Sequence, residues 1–127
     1  VEHAYVSKLS SQEVNMNQLN SIILEGNLEG SVKYSEGDSG NGQASFTISV
    51  RRYYKSKDGD NAEEVSYFDV EVYGKMVGLM RKAREHQGLR VVGRLKQSVW
   101  EDDEGHTRSR VFVIAEHVEL RSGKRLQ

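Results

Sequence analysis

Residues 67–75 read Tyr67-Phe68-Asp69-Val70-Glu71-Val72-Tyr73-Gly74-Lys75. The alternation is that of a β-strand with one face turned to a core. Phe68, Val70 and Val72 share that face, and Tyr67, Asp69, Glu71 and Tyr73 share the other. Two large rings on the side away from the core have no packing task there, so they raise the question of what they hold.

Working outward, residues 44–54 form a second alternating stretch, with Phe46, Ile48 and Val50 on the core side. Ser45, Thr47, Ser49, Arg51 and Tyr53 lie opposite. Between the two stretches, residues 55–64 are hydrophilic and carry the turn signal Asp58-Gly59, so the pair is expected to be a long hairpin. Residues 20–28 read as an earlier strand, in which Gly26 marks a bulge or a close backbone approach. Residues 29–43 are a polar, glycine-bearing loop with a short pairing segment at 31–34; their glycine spacing matches no phosphate-binding fingerprint.

Downstream, Met76, Leu79, Met80 and Ala83 recur at helical spacing, with Val77 beside them, and the pattern predicts a helix over 74–88 closed by Gly88. It is read as a cap on the sheet. Residues 89–100 return to strand alternation, with Leu89, Val91, Leu95 and Val99 toward the core, Gly93 interrupting, and Arg90, Val92, Arg94, Lys96, Ser98 and Trp100 opposite. An acidic turn at 101–106 leads to a last strand over 108–120. Three strands, a helix, then two strands is the element order of an OB-fold, an all-β, five-stranded, partly open barrel with its helix between strands three and four.

The composition suits this. A chain of 127 residues with 36% hydrophobic and 29% charged residues fits one polar-surfaced domain. It has no cysteine, hence neither disulfides nor Cys-based metal sites, and no apolar run long enough to span a bilayer. The net charge of −1 provides no global attraction for nucleic acid, so any such attraction must be local. Residues 1–16 lack a sustained period and are expected to be a flexible leader or material of expression origin. The folded domain is expected over 17–120, with a short basic end at 121–127.

Strands two, three and four repeat one departure from the polar-outside rule. Tyr53, Tyr67, Tyr73 and Trp100 share the non-core side with Arg51, Arg90, Arg94 and Lys96. Rings that stack bases, and cations spaced to meet the phosphates between them, are what single-stranded nucleic acid requires. Each ring is also open to a plainer reading: tyrosine stabilises cross-strand pairs, and Trp100 at a strand end can plug a core. The joint pattern on three strands favours the ligand.

The stretches Asn20-Ser-Ile-Ile-Leu-Glu-Gly-Asn-Leu28, Tyr67-Phe68, Tyr73-Gly74-Lys75, Val91-Val-Gly-Arg-Leu95, Trp100-Glu-Asp-Asp-Glu-Gly105 and Ala115-Glu-His-Val-Glu-Leu120 together resemble bacterial single-stranded DNA-binding proteins. The resemblance covers about residues 16–120. It implies single-stranded DNA binding in replication, recombination and repair, a homotetramer around which the strand wraps, and a cytoplasmic, nucleoid-associated location. It places the family's stacking aromatics at Tyr53, Tyr67, Tyr73 and Trp100, and a frequent subunit-contact position at Phe68. The sequence departs from the family in having Glu29-Gly30 where Asp-Pro is common, and in the carboxylates Asp69 and Glu71 on the proposed binding face. The acidic, Phe-ending tail that docks replication and repair proteins has no counterpart, as in a truncated form or a tail-less relative; those proteins are partners only if the native protein carries such a tail.

His3, His86, His106 and His117 are scattered without metal-ligand spacing, and no nucleophile elbow is present, so neither catalysis nor a cofactor nor a metal is expected. The run Glu101 to Glu104 reads as a solvated turn. The rival reading is a tail-less OB module that binds a partner protein, of the primosome-accessory kind.

Overall fold

The computed structural model describes residues 6–10, 15–36 and 42–122. Most of the expected leader's polar stretch (1–5 and 11–14), the glycine cluster at 37–41 and the basic end from 123 lie outside the described residues.

Five strands close a barrel: β1 (Ile22–Ser35), β2 (Gln43–Lys55), β3 (Asn61–Tyr73), β4 (Gly88–Glu101) and β5 (Thr107–Leu120). The helix α1 (Lys75–Met80) sits between β3 and β4. Around the barrel the strand order is β1-β2-β3-β5-β4, antiparallel throughout except where β3 meets β5 in parallel. This is the five-stranded, single-helix barrel that the element order predicts.

The core is built from the interior register of each strand. Leu28, Phe46, Ile48, Val70, Val72, Leu89, Val91, Val113, Ala115 and Val118 are buried together, and Val77 and Met80 of α1 close one end. Two glycines make the closure possible. A β-carbon on Gly26 would sit 2.0 Å from the Ser49 carbonyl oxygen, and one on Gly93 would sit 2.1 Å from that of Ile114. Gly26 therefore marks a close approach of backbones, one of the two roles its sequence context allowed. Gly93 lies where the β4–β5 register shifts, opposite Ala115.

Several boundaries differ from expectation for physical reasons. β1 continues through the expected loop to Ser35, its register against β2 shifting between Glu29 and Lys33. β3 starts at Asn61 because the hairpin turn is tight: Gly59 N–H donates to the Ser56 carbonyl at 3.0 Å, with Gly59 at φ 85°. The helix is six residues, not fifteen. Apolar spacing persists to Ala83, but from Arg81 the backbone bonds to carbonyls three residues back, and His86 takes φ 69°, which ends helical geometry. Gly74 as N-cap contributes no side-chain bond, and Gly78 sits inside the helix, so little local preference extends it.

Two residues assigned to the core are exposed. Phe68 is 40% and Leu95 43% exposed. Both lie in the interior register, Phe68 opposite the buried Ile48 and Leu95 opposite the buried Val113, yet their own side chains reach the surface.

Candidate nucleic-acid interface

The outer face of the β2–β3 hairpin is a continuous surface. Cross-strand pairs along it run Tyr53↔Glu63, Arg51↔Val65, Ser49↔Tyr67, Thr47↔Asp69, Ser45↔Glu71 and Gln43↔Tyr73. Alternate residues of a strand share a face, so Tyr67, Asp69, Glu71 and Tyr73 stand in line about 7 Å apart. Tyr67 is 63% exposed, and Tyr53 and Tyr73 are exposed beside it. Ser49, between Tyr67 and Arg51, is fully buried and donates its hydroxyl to Glu29 Oε1 at 2.8 Å.

The surface continues across the barrel seam onto β5 and β4. There Arg94 faces Ile114, Lys96 faces Phe112, Ser98 faces Arg110 and Trp100 faces Arg108. Trp100 is half-buried, so it belongs partly to the surface and partly to its packing. Arg94 and Lys96 make no ion pair among the described residues, which leaves their charge available to an anion.

The other two predicted cations are engaged. Arg51 donates to Ser49 Oγ at 3.0 Å and lies 3.8 Å from Glu29 and 3.9 Å from Glu63. Arg90 donates through Nε and Nη2 to Glu25 Oε2 at 2.9 and 2.6 Å, and Arg121 donates to the same oxygen at 3.0 Å. The hydrogen bond and charge of Glu25 hold the Arg90 guanidinium more firmly protonated than usual. Arg90 thus joins β4 to β1 and stands apart from the other seven predicted residues.

The carboxylates on the face are resolved unequally. Glu71 is 9% exposed; its Oε1 accepts the Tyr73 hydroxyl at 2.6 Å and its Oε2 accepts Arg110 Nη2 at 3.0 Å. Arg110 also lies over the Phe112 ring, 4.1 Å from its centre. Among the described residues, Asp69 accepts only the Thr47 hydroxyl, at 3.3 Å. Sequence reasoning missed Arg110, because the bridge to Glu71 spans 39 residues and depends on the parallel β3–β5 pairing. The available signal was the alternation of Arg108 and Arg110 at the start of the last strand.

Burial first, then the hydrogen bond to Glu71, push the Tyr73 hydroxyl up to about 12, while Arg110 and Arg94 pull the other way. An alkaline absorbance titration should therefore show one tyrosine still protonated at a pH where free tyrosine, with pKa about 10, has ionised. Tyr73→Phe should remove that late step. Because the folded value is raised, the stability linked to Tyr73 is present below pH about 10 and is lost as pH rises toward about 12.

The acidic turn is structural. The Asp102 carboxylate accepts the backbone N–H groups of His106 at 2.8 Å and Glu104 at 3.0 Å, and Arg108 Nε at 2.9 Å. Those bonds, the His106 one first, hold its carboxyl below the usual carboxylate range. No group of three potential metal ligands exists among the described residues.

Residues 19–121 match the single-strand binding protein family. The chain is 38% identical over 104 residues to the single-stranded DNA-binding protein of Aquifex aeolicus, covering 80% of this chain and 69% of that protein. It is 30% identical over 106 residues to that of Helicobacter hepaticus, covering 83% of this chain and 62% of that protein, so it spans about two thirds of the length of these relatives. In fold it is similar to a Plasmodium falciparum SSB in complex with ssDNA, with TM-score 0.73, 19% identity, and coverage of 85% of this chain and 97% of that one. A Thermus aquaticus single-stranded DNA-binding protein deletion mutant superposes with TM-score 0.72 at 24% identity, over 84% of this chain and 52% of that one. A match through nearly the whole barrel, on a surface of this geometry, means that the chain belongs to the single-strand binding protein family.

Proposed function

We propose that the chain binds single-stranded DNA of no fixed sequence, with Tyr53, Tyr67, Tyr73 and Trp100 stacking on bases and Arg94 and Lys96 meeting phosphates. The observation that carries this reading is the row of exposed rings on β3 and β2, with Arg94 and Lys96 across β5 on β4 making no ion pair among the described residues. The core has no use for the rings, whereas every base has a π-face for them. Arg51 contributes after exchanging its carboxylate partners for phosphate. Arg90 contributes mainly by holding β1 against β4.

The wider role follows the family: protection of single strands in replication, recombination and repair, in a cytoplasmic, nucleoid-associated setting, by a homotetramer. Phe68, Leu95 and Val111, apolar and exposed in the isolated chain, support an assembly that covers them. Docking of replication and repair proteins requires a C-terminal tail in the native protein.

Titration of an oligothymidine, followed through the fluorescence of Trp100, the chain's one tryptophan, tests the reading. Log affinity should fall linearly with log salt, at a slope of about −0.7 for each phosphate neutralised. No binding at low salt would sink the proposal, and a flat slope would favour the protein-binding alternative.

A further inference from the structure

The line of rings on β3 is interrupted by Asp69 and Glu71, and a surface that attracts phosphates has no electrostatic use for carboxylates. Glu71 is accounted for, since both its oxygens are occupied by Tyr73 and Arg110. Asp69 is exposed, accepts one hydroxyl, and has no cationic side chain within ion-pairing distance among the described residues. It lines a cavity of about 240 Å³ whose walls include Lys33 from β1, Thr47 from β2 and Arg110 from β5. That is below the ~300–1,000 Å³ of pockets for drug-sized ligands, and suits a single flat ring system. The cavity lies over the strip of β2 and β3 that carries Ser45, Thr47, Asp69 and Glu71, with Lys33 of β1 and Arg110 of β5 among its walls.

A stacking platform alone reads little, because every base offers it the same kind of face. A carboxylate beside the platform does read, because it can only accept hydrogen bonds. The geometry points to Asp69 as a specificity-determining residue: its carboxylate takes a hydrogen bond from the edge of a base stacked at Tyr67, the neighbouring ring on the same strand face, favouring amino-bearing bases, and cytosine over thymine. Cytosine presents its N4 amino group, a donor that Asp and Glu accept. Thymine presents the O4 carbonyl at that position, and its N3–H lies between two carbonyls that repel a carboxylate. The inference rests on the single-stranded DNA reading and adds a graded base preference to it.

The test uses the full 127-residue chain with oligodeoxycytidine and oligothymidine of equal length at one low salt concentration. Both are pyrimidine strands and lack the strong self-stacking of purine strands. The wild type should bind oligodeoxycytidine about three- to tenfold tighter, the size of one net hydrogen bond. Asp69→Asn removes a negative charge, so both oligomers should bind tighter. Its amide can donate as well as accept, so the ratio should fall to one or below. A merely electrostatic Asp69 would shift both affinities and leave the ratio alone. Should the variant fail to fold, an oligomer of N4,N4-dimethylcytosine, which lacks the donor, should bind the wild type no better than oligothymidine. A wild-type ratio of one or less overturns the inference, as does a higher ratio that survives both changes. No binding to either oligomer overturns the single-stranded DNA reading itself, and this inference with it.

Discussion

Tyr67→Ala is expected to leave the barrel folded while weakening oligothymidine binding by about 1–3 kcal/mol, roughly 5- to 150-fold. The residue is 63% exposed, and its strand is held by neighbours that the substitution does not touch. Val70 and Val72 remain buried, and every backbone pair with β2 from Gln43↔Tyr73 to Lys55↔Asn61 persists. What is lost is the flat surface above the buried Ser49. Thermal unfolding and binding should be measured on the same preparation. A variant that melts far below the wild type would mean that the ring is structural, and unchanged affinity in a stable variant would mean that the base stacks elsewhere. Trp100→Ala is the less clean experiment, because a half-buried ring contributes to packing as well as to any stacking.

Gly93→Ala should lower stability strongly, as should Gly26→Ala. The new carbon would lie 2.1 Å from the Ile114 carbonyl oxygen and 3.0 Å from its carbon, both backbone atoms that cannot swing aside. Relief requires β4 and β5 to part at the register shift, where Gly93 and Ala115 stand opposite. Overpacking of this kind costs about 1–3 kcal/mol and sometimes more, which for a domain near 100 residues lowers the melting temperature by about 4–8 °C per kcal/mol. Gly78→Ala is the control. A β-carbon there meets nothing within 4 Å and sits in α1, so helix propensity should raise stability by roughly 0.5–1 kcal/mol. Equal melting of the two variants would show that the close approach at Gly93 relaxes without strain.

Period-two alternation reports which way a side chain faces, and on that point the sequence was legible. The sides assigned to Phe46, Ile48, Val70, Val72, Leu89 and Val91 are those they occupy in the core. Alternation does not report how fully a side chain on the inner side is covered, which is why Phe68 and Leu95, correctly placed by register, are exposed. The helix was over-extended for a related reason: apolar spacing at Met76, Leu79, Met80 and Ala83 survives a change from helical to turn hydrogen bonding. In the candidate site, the rings on β2 and β3 were legible because they sit on adjacent strands joined by a short turn. The partners of the charges were not. Glu25 and Arg90 are 65 residues apart, and Glu71 and Arg110 are 39 apart. Closing the barrel brings each pair together, and no local pattern encodes that.

The seam between β3 and β5 is registered only at Val70↔Val113 and Glu71↔Ile114, against thirteen consecutive pairs between β2 and β3. A cylinder so joined breathes along its shortest weld, since local opening follows the region with the fewest bonds to break. Glu71 and Arg110 rivet that weld from outside, and the proposed path of the DNA, from Tyr67 and Tyr73 to Arg94 and Trp100, runs across it. A bound strand would act as a strap over the joint, so slow motions of the empty barrel and grip on the ligand become one mechanical property.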